Sequence, residues 1–181
     1  MTGNLEVRAA PLELRVTTGR RLQGYAAVFN TPAEIGGFRE TVLPGAFRAS
    51  LLSGRDIVAL ADHDAGKVLG RTKSGSLRLV ETGRGLHFEL DVPATTAGND
   101  ILELVRSNNA GGMSFGFRTV DERWPARDRR ELLAVELHEI SVVSAWPAYP
   151  ETEVQARSRA APAARPLDRV RLARMLMGAP R

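Results

Sequence analysis

A chain of 181 residues with 43% hydrophobic content is long enough to bury one compact core and short for two, so a single domain is expected. It contains no cysteine, which excludes disulfides, thiol nucleophiles and thiolate metal sites; any nucleophile carries oxygen or nitrogen. The formal charge of +4 is unevenly placed: residues 155–181 hold seven arginines against Asp168, a balance of +6, leaving −2 for the first 154 residues and no basic footprint there for a phosphate backbone. No 18-residue apolar run is present and Met1 to Arg15 mixes charges into every turn, so the reading is of a soluble intracellular protein with neither membrane span nor signal peptide.

Along the chain, period-two alternation of apolar and polar residues marks half-buried strands at Leu12 to Val16 and Leu22 to Phe29. Pro44-Gly45-Ala46-Phe47 opens a short helical segment to Leu52, with proline at a first-turn position where its missing N–H is harmless. An apolar strand follows at Ile57 to Ala61. Leu77 to Val80 and Leu86 to Val92 read as a hairpin around Thr82-Gly83-Arg84-Gly85, whose glycines suit the positive φ of a tight turn. Leu86, Phe88, Leu90 and Val92 share one face, which places His87, Glu89 and Asp91 on the opposite, solvated one.

The better helix is Gly98 to Ser107, with an apolar stripe of Ile101, Leu102, Leu104 and Val105, a cap at Thr95 or Thr96, and an end at Asn108-Asn109-Ala110-Gly111-Gly112. Met113 to Val120 and Leu132 to Val143 are further strands. Strands dominate, so the expected fold is a β-rich α+β domain over residues 1–154, a closed or nearly closed barrel with a few helices. Residues 155–181 form an Ala/Arg/Pro-rich basic tail: a linker, then Leu167 to Met177, which reads either as a basic amphipathic helix for docking to a partner or as a disordered tail with accidental periodicity.

Three histidines, His63, His87 and His138, are the only bases suited to neutral pH. His63 stands out in Asp62-His63-Asp64 at a strand end, although a lone histidine there is more often structural. Ser114 lies in Gly111-Gly112-Met113-Ser114-Phe115-Gly116-Phe117, where glycines allow a substrate close to the backbone. A glycine-rich turn whose serine merely caps is the plainer reading of that segment.

Five blocks decide between these readings. Gly24-Tyr25-Ala26-Ala27-Val28-Phe29-Asn30, Glu40-Thr41-Val42-Leu43-Pro44-Gly45-Ala46-Phe47, Asp62-His63-Asp64, Gly112-Met113-Ser114-Phe115-Gly116-Phe117 and Glu139-Ile140-Ser141-Val142-Val143 resemble, in order and spacing, the prohead proteases of tailed phages with the HK97-type capsid. The match runs over roughly residues 12 to 154. The resemblance implies an assemblin-like barrel, shared with the herpesvirus maturation proteases, and serine endopeptidase activity on scaffold or major capsid protein inside the procapsid, in the cytoplasm of a bacterial host. No cofactor and no membrane partner are expected. A homodimer is suggested only by analogy with the herpesvirus enzymes.

Carried across residue by residue, the resemblance makes Ser114 the nucleophile and His63 its general base. Glu139 is the third member, with His138 as the alternative because the herpesvirus relatives use a second histidine there. Neighbours on a regular strand point to opposite faces, so His138 and Glu139 are not expected to serve together. Asp62 and Asp64 are outside candidates for that role, and Ser141 and Ser144 are rival nucleophiles without glycine surroundings. Cleavage specificity is expected from loops such as Thr31 to Arg39 and Trp124 to Arg130.

Three other readings compete. A metal-dependent hydrolase would draw on His63, Asp62, Asp64 and His138, without the HExxH spacing that converges ligands on a helix. A catalytically inactive assembly factor would keep the barrel and bind scaffold or capsid through it and the tail. Nucleic-acid binding would rest on the tail alone.

Overall fold

The computed structural model describes residues 4–10, 14–17, 19–110 and 112–144. In chain order they form β1 (Glu6–Ala10), β2 (Leu14–Val16), β3 (Arg21–Val28), β4 (Ala33–Ile35), β5 (Phe38–Val42), α1 (Arg48–Leu52), β6 (Val58–Ala61), β7 (Asp64–Arg71), β8 (Leu77–Glu81), β9 (Gly85–Asp91), α2 (Thr96–Arg106), β10 (Gly112–Ala126) and β11 (Arg129–Val143). The β-rich α+β expectation therefore stands. Residues 155–181, and with them the expected linker and amphipathic helix, lie outside the described residues.

The strands form two sheets. One runs β1-β10-β11-β5-β4, with β6 also on β11 and β7 on β6; the other runs β2-β3-β9-β8. The long strand β11 organises the first. Its start pairs in parallel with β5, from Arg129↔Arg39 to Leu132↔Val42, and its end pairs in parallel with β6, from Glu139↔Val58 to Val142↔Ala61. The ladders show no closed ring among the described residues: each sheet keeps edge strands, β1, β4 and β7 in one, β2 and β8 in the other.

One core takes side chains from both sheets: Leu22, Phe88 and Leu90 from the second, Phe115, Phe117, Leu137 and Ile140 from the first. Phe47, just before α1, sits between Phe29 and Phe115, with ring centroids 6.1 and 5.6 Å away. The Thr95 hydroxyl caps α2 by accepting from the Gly98 N–H, and Ile101 and Leu102 are buried below it.

Several local readings need correction. Pro44 lies before α1 rather than in its first turn; Gly45 has φ +96°, which a helix cannot continue through, so the helix begins only at Arg48. In the β8–β9 hairpin neither Gly83 nor Gly85 has positive φ. The Thr82 hydroxyl holds that turn by accepting from the Arg84 and Gly85 N–H groups. Gly85 is required instead by close approach, since a β-carbon there would stand 2.1 Å from the Ala27 carbonyl oxygen. His87 is half-buried rather than fully solvated, its ring edge-on to Tyr25 at 5.3 Å. The two segments read as loops are largely hairpin: Thr31 to Arg39 contains β4 and enters β5, while Trp124 to Arg130 is the end of β10 and the start of β11. They meet at Phe38 and Trp124, 5.1 Å between ring centroids.

The bulge between β10 and β11 matters most for the site. Gly116 pairs with Glu139 and Phe117 with Leu137, leaving His138 as an extra residue on β11. The core positions change parity there: Val135 and Leu137 before the bulge, Ile140 and Val142 after it. His138 and Glu139 consequently both lie off the core face, and the regular-strand premise that they oppose one another does not hold.

Candidate active site

The site is built from one turn and one hairpin. Asp62 and His63 are the two residues between β6 and β7, with φ of +52° and +59°, the signs that a two-residue type I′ turn demands at both central positions. Neither is glycine, so the turn is held by its surroundings. The Asp62 N–H donates to the Val142 carbonyl at 3.0 Å. Its carboxylate accepts from the Ser144 N–H at 2.7 Å and the Ser144 hydroxyl at 2.8 Å. The aspartate thus fastens the turn to the end of β11, which also occupies Ser144.

This anchoring brings His63 over the outer face of β11. Its Nδ1 lies 2.7 Å from Glu139 Oε1. A carboxylate can only accept, so in the neutral ring the proton sits on Nδ1 and the Nε2 lone pair is left to act as a base. The other carboxylate oxygen accepts the Ser141 hydroxyl at 2.6 Å, and the same hydroxyl accepts the His63 backbone N–H at 3.3 Å. Ser141 is fully buried and Glu139 is 8% exposed. Such a shielded charge-assisted pair is held more firmly than one at the surface.

Across the ladder, Gly116 stands opposite Glu139. A β-carbon on Gly116 would lie 2.5 Å from Glu139 Oε1, 3.0 Å from its Cγ and 3.1 Å from its Cδ. The glycine after the serine therefore makes room for the acid, a reason different from the substrate access read from the sequence.

Ser114 pairs with Ser141 across β10 and β11 and with Ala9 across β1 and β10. It is fully buried, and its hydroxyl donates to the Arg8 carbonyl at 2.7 Å rather than to the His63 ring. Of the expected triad, the structure joins His63 and Glu139 and leaves the serine hydroxyl turned toward β1.

The other candidates are engaged elsewhere. His138 Nε2 lies 2.8 Å from Glu136 Oε1, out of line for a hydrogen bond. Burial, opposed by the nearby Glu136 charge, lowers its pKa from the ordinary histidine value. The Asp64 carboxylate accepts from the Gly66 N–H and pairs with Lys67. Among the described residues, no group of three or more histidine, aspartate or glutamate side chains is arranged to hold a metal ion.

Two features escaped sequence reading. One is the role of Ser141, for which the only signal was its spacing of two from Glu139. The other is the ion network that fixes β1. Arg8 reaches Glu40 through Nε at 2.6 Å and Nη2 at 2.9 Å, and Glu6 at 2.7 Å. Arg130 reaches Glu6 at 2.6 Å, Glu40 at 2.8 Å, Glu122 at 2.6 Å and the Thr119 hydroxyl at 2.7 Å. Burial alone would raise the Glu6 pKa, but hydrogen bonds from Arg130 and Thr119 outweigh it and hold it down to about 2.

The fold is similar to that of the bacteriophage T4 capsid assembly protease gp21, with a TM-score of 0.53 and 10% sequence identity over 80% of this chain and 98% of that one. No curated protein shows a matching sequence. Residues 4–165 match the caudovirus prohead serine proteases, a span that includes β1 and every residue of the site; the chain belongs to that family.

Proposed function

We propose that the protein is a serine endopeptidase that cleaves scaffold or capsid-protein precursor segments inside the procapsid of a tailed phage or phage-like particle, in the cytoplasm of the bacterial host. The single observation that carries the reading is the 2.7 Å contact of His63 Nδ1 with Glu139 in a chain of this family. Ser114 is the nucleophile, His63 the general base and Glu139 the acid that holds the ring.

The chemistry follows from the tautomer. Once Ser114 turns from the Arg8 carbonyl to His63, its Oγ bonds to the substrate carbonyl carbon while its proton passes to Nε2. The imidazolium so formed is stabilised by Glu139, and gives that proton to the amide nitrogen as the C–N bond breaks. Water then adds to the ester carbon with His63 again taking the proton, and the proton returns to Oγ as the acyl group leaves as an acid. Ser141 touches Glu139 and the His63 backbone on the side of the ring away from Nε2, so it lies outside the path of this proton.

A second reading has its own support. The burial of Ser114 and the engagement of its hydroxyl by β1 fit an assembly factor that binds capsid or scaffold without cutting. Co-expression with the scaffold or major capsid protein, followed by intact mass, separates the two. Discrete truncations with wild type that vanish in Ser114→Ala and His63→Ala support the protease. Identical products from all three chains replace it with the assembly factor.

A further inference from the structure

The strand that covers the serine is held unlike the rest of the sheet. Val7 and Ala9 take no part in the hydrophobic core. β1 is fixed by its backbone ladder to β10, from Glu6↔Phe117 to Ala10↔Met113, and by the ion pairs of Glu6 and Arg8. A backbone ladder is indifferent to side chains, so any extended peptide can form it once the place is free.

What β1 presents there is specific. The Arg8 carbonyl oxygen is the acceptor of the Ser114 hydroxyl, one bond from the carbon that a serine protease attacks. The Arg8 guanidinium is gripped by both oxygens of Glu40, a carboxylate only 3% exposed. If β1 leaves, Glu6 and Arg8 leave together and the balance of the cluster stays at −1, but Glu40 loses both contacts to Arg8 and keeps only the one to Arg130. A buried carboxylate stripped of its two-pronged partner is costly, so the vacated place favours an incoming cation.

We propose that β1 stands where a substrate strand pairs with β10, and that Glu40 selects an arginine or lysine side chain on the residue whose carbonyl Ser114 attacks. This rests on the reading of Ser114 as nucleophile. In the resting chain β1 competes with substrate, and it survives because Ser114 gives its proton to the Arg8 carbonyl instead of to His63.

The test uses full-length protein and extended fluorogenic peptides that differ only in carrying Arg, Lys, Leu or Glu before the cleaved bond. Arg and Lys peptides should be cut roughly 10- to 100-fold faster than Leu or Glu peptides, the range expected of a charge-assisted pair. Glu40→Gln should abolish that preference, and Arg8→Ala should lower KM for the Arg peptide by loosening the competitor. Cleavage that needs Ser114 but shows no basic preference in wild type overturns the inference and leaves the protease reading intact. So does a KM unchanged in folded Arg8→Ala. If no peptide is cut and a fluorophosphonate labels Ser114 in neither wild type nor Arg8→Ala, the serine protease reading falls and takes this inference with it.

Discussion

Gly116 faces Glu139 across the β10–β11 ladder, and the space that a β-carbon would need is filled by the carboxylate oxygen that meets His63. Gly116→Ala must therefore displace Oε1, the atom 2.5 Å from the new carbon, before it disturbs anything else. We expect a fall in kcat of about 100-fold, the scale of a misoriented base, with KM little changed. Peptide hydrolysis checks it beside a melting curve, since overpacking a buried site costs about 1–3 kcal/mol.

Ser141→Ala removes the only hydroxyl that donates to the second Glu139 oxygen among the described residues. A buried acceptor left without its donor costs about 1–3 kcal/mol. The carboxylate is then free to turn, so kcat should drop roughly tenfold at constant KM. Ser141→Thr keeps the hydroxyl and should recover most of the loss; if alanine and threonine behave alike, Ser141 has only a packing role.

The third member of the proposed triad is decided by comparing Glu139→Gln with His138→Ala. Glutamine can turn its NH₂ toward Nδ1, which favours the wrong tautomer; the corresponding acid-to-amide exchange in trypsin-type triads lowers kcat about 10⁴-fold. We expect at least about a hundredfold loss for Glu139→Gln and less than about threefold for His138→Ala, whose ring lies by Glu136. The reverse order would move the role to His138.

Acid should loosen β1 through Glu6. Its folded pKa of about 2 is below the ordinary 4.5, so the stabilisation is complete above 4.5 and is lost as pH falls toward 2. The ceiling is about 3 kcal/mol, less because Glu6 keeps some contact with solvent. Thermal midpoints between pH 5 and pH 2 should fall steeply in wild type and less steeply in Glu6→Gln.

Much of this was legible in the sequence where one physical rule acted alone. The alternation of Leu86, Phe88 and Leu90 gave β9, and Thr95 with its apolar stripe gave α2, because burial and capping are local. β1 was missed because its short alternation is inverted: Glu6 and Arg8 point to ion-pair partners on other strands while Val7 and Ala9 stay out of the core. β7 was missed for a related reason: its first five residues are exposed and it follows a turn with no glycine. The pairing of His63 with Glu139 was an expectation drawn from likeness, and periodicity argued wrongly about its neighbour, since a one-residue bulge reverses the faces of a strand without any mark in composition.

The parallel ladder between β6 and β11 also has a consequence for the order of events during synthesis. His63 is made first and Glu139 76 residues later, and the two meet only when strands so far apart in the chain align side by side. Loop-closure entropy makes pairings of that span slow to form. Ser114, Gly116, Glu139 and Ser141 assemble within a single hairpin, but that hairpin alone lacks the His63 imidazole. If His63 is the base, as proposed, a nascent or half-folded chain is chemically silent until the parallel strands have locked.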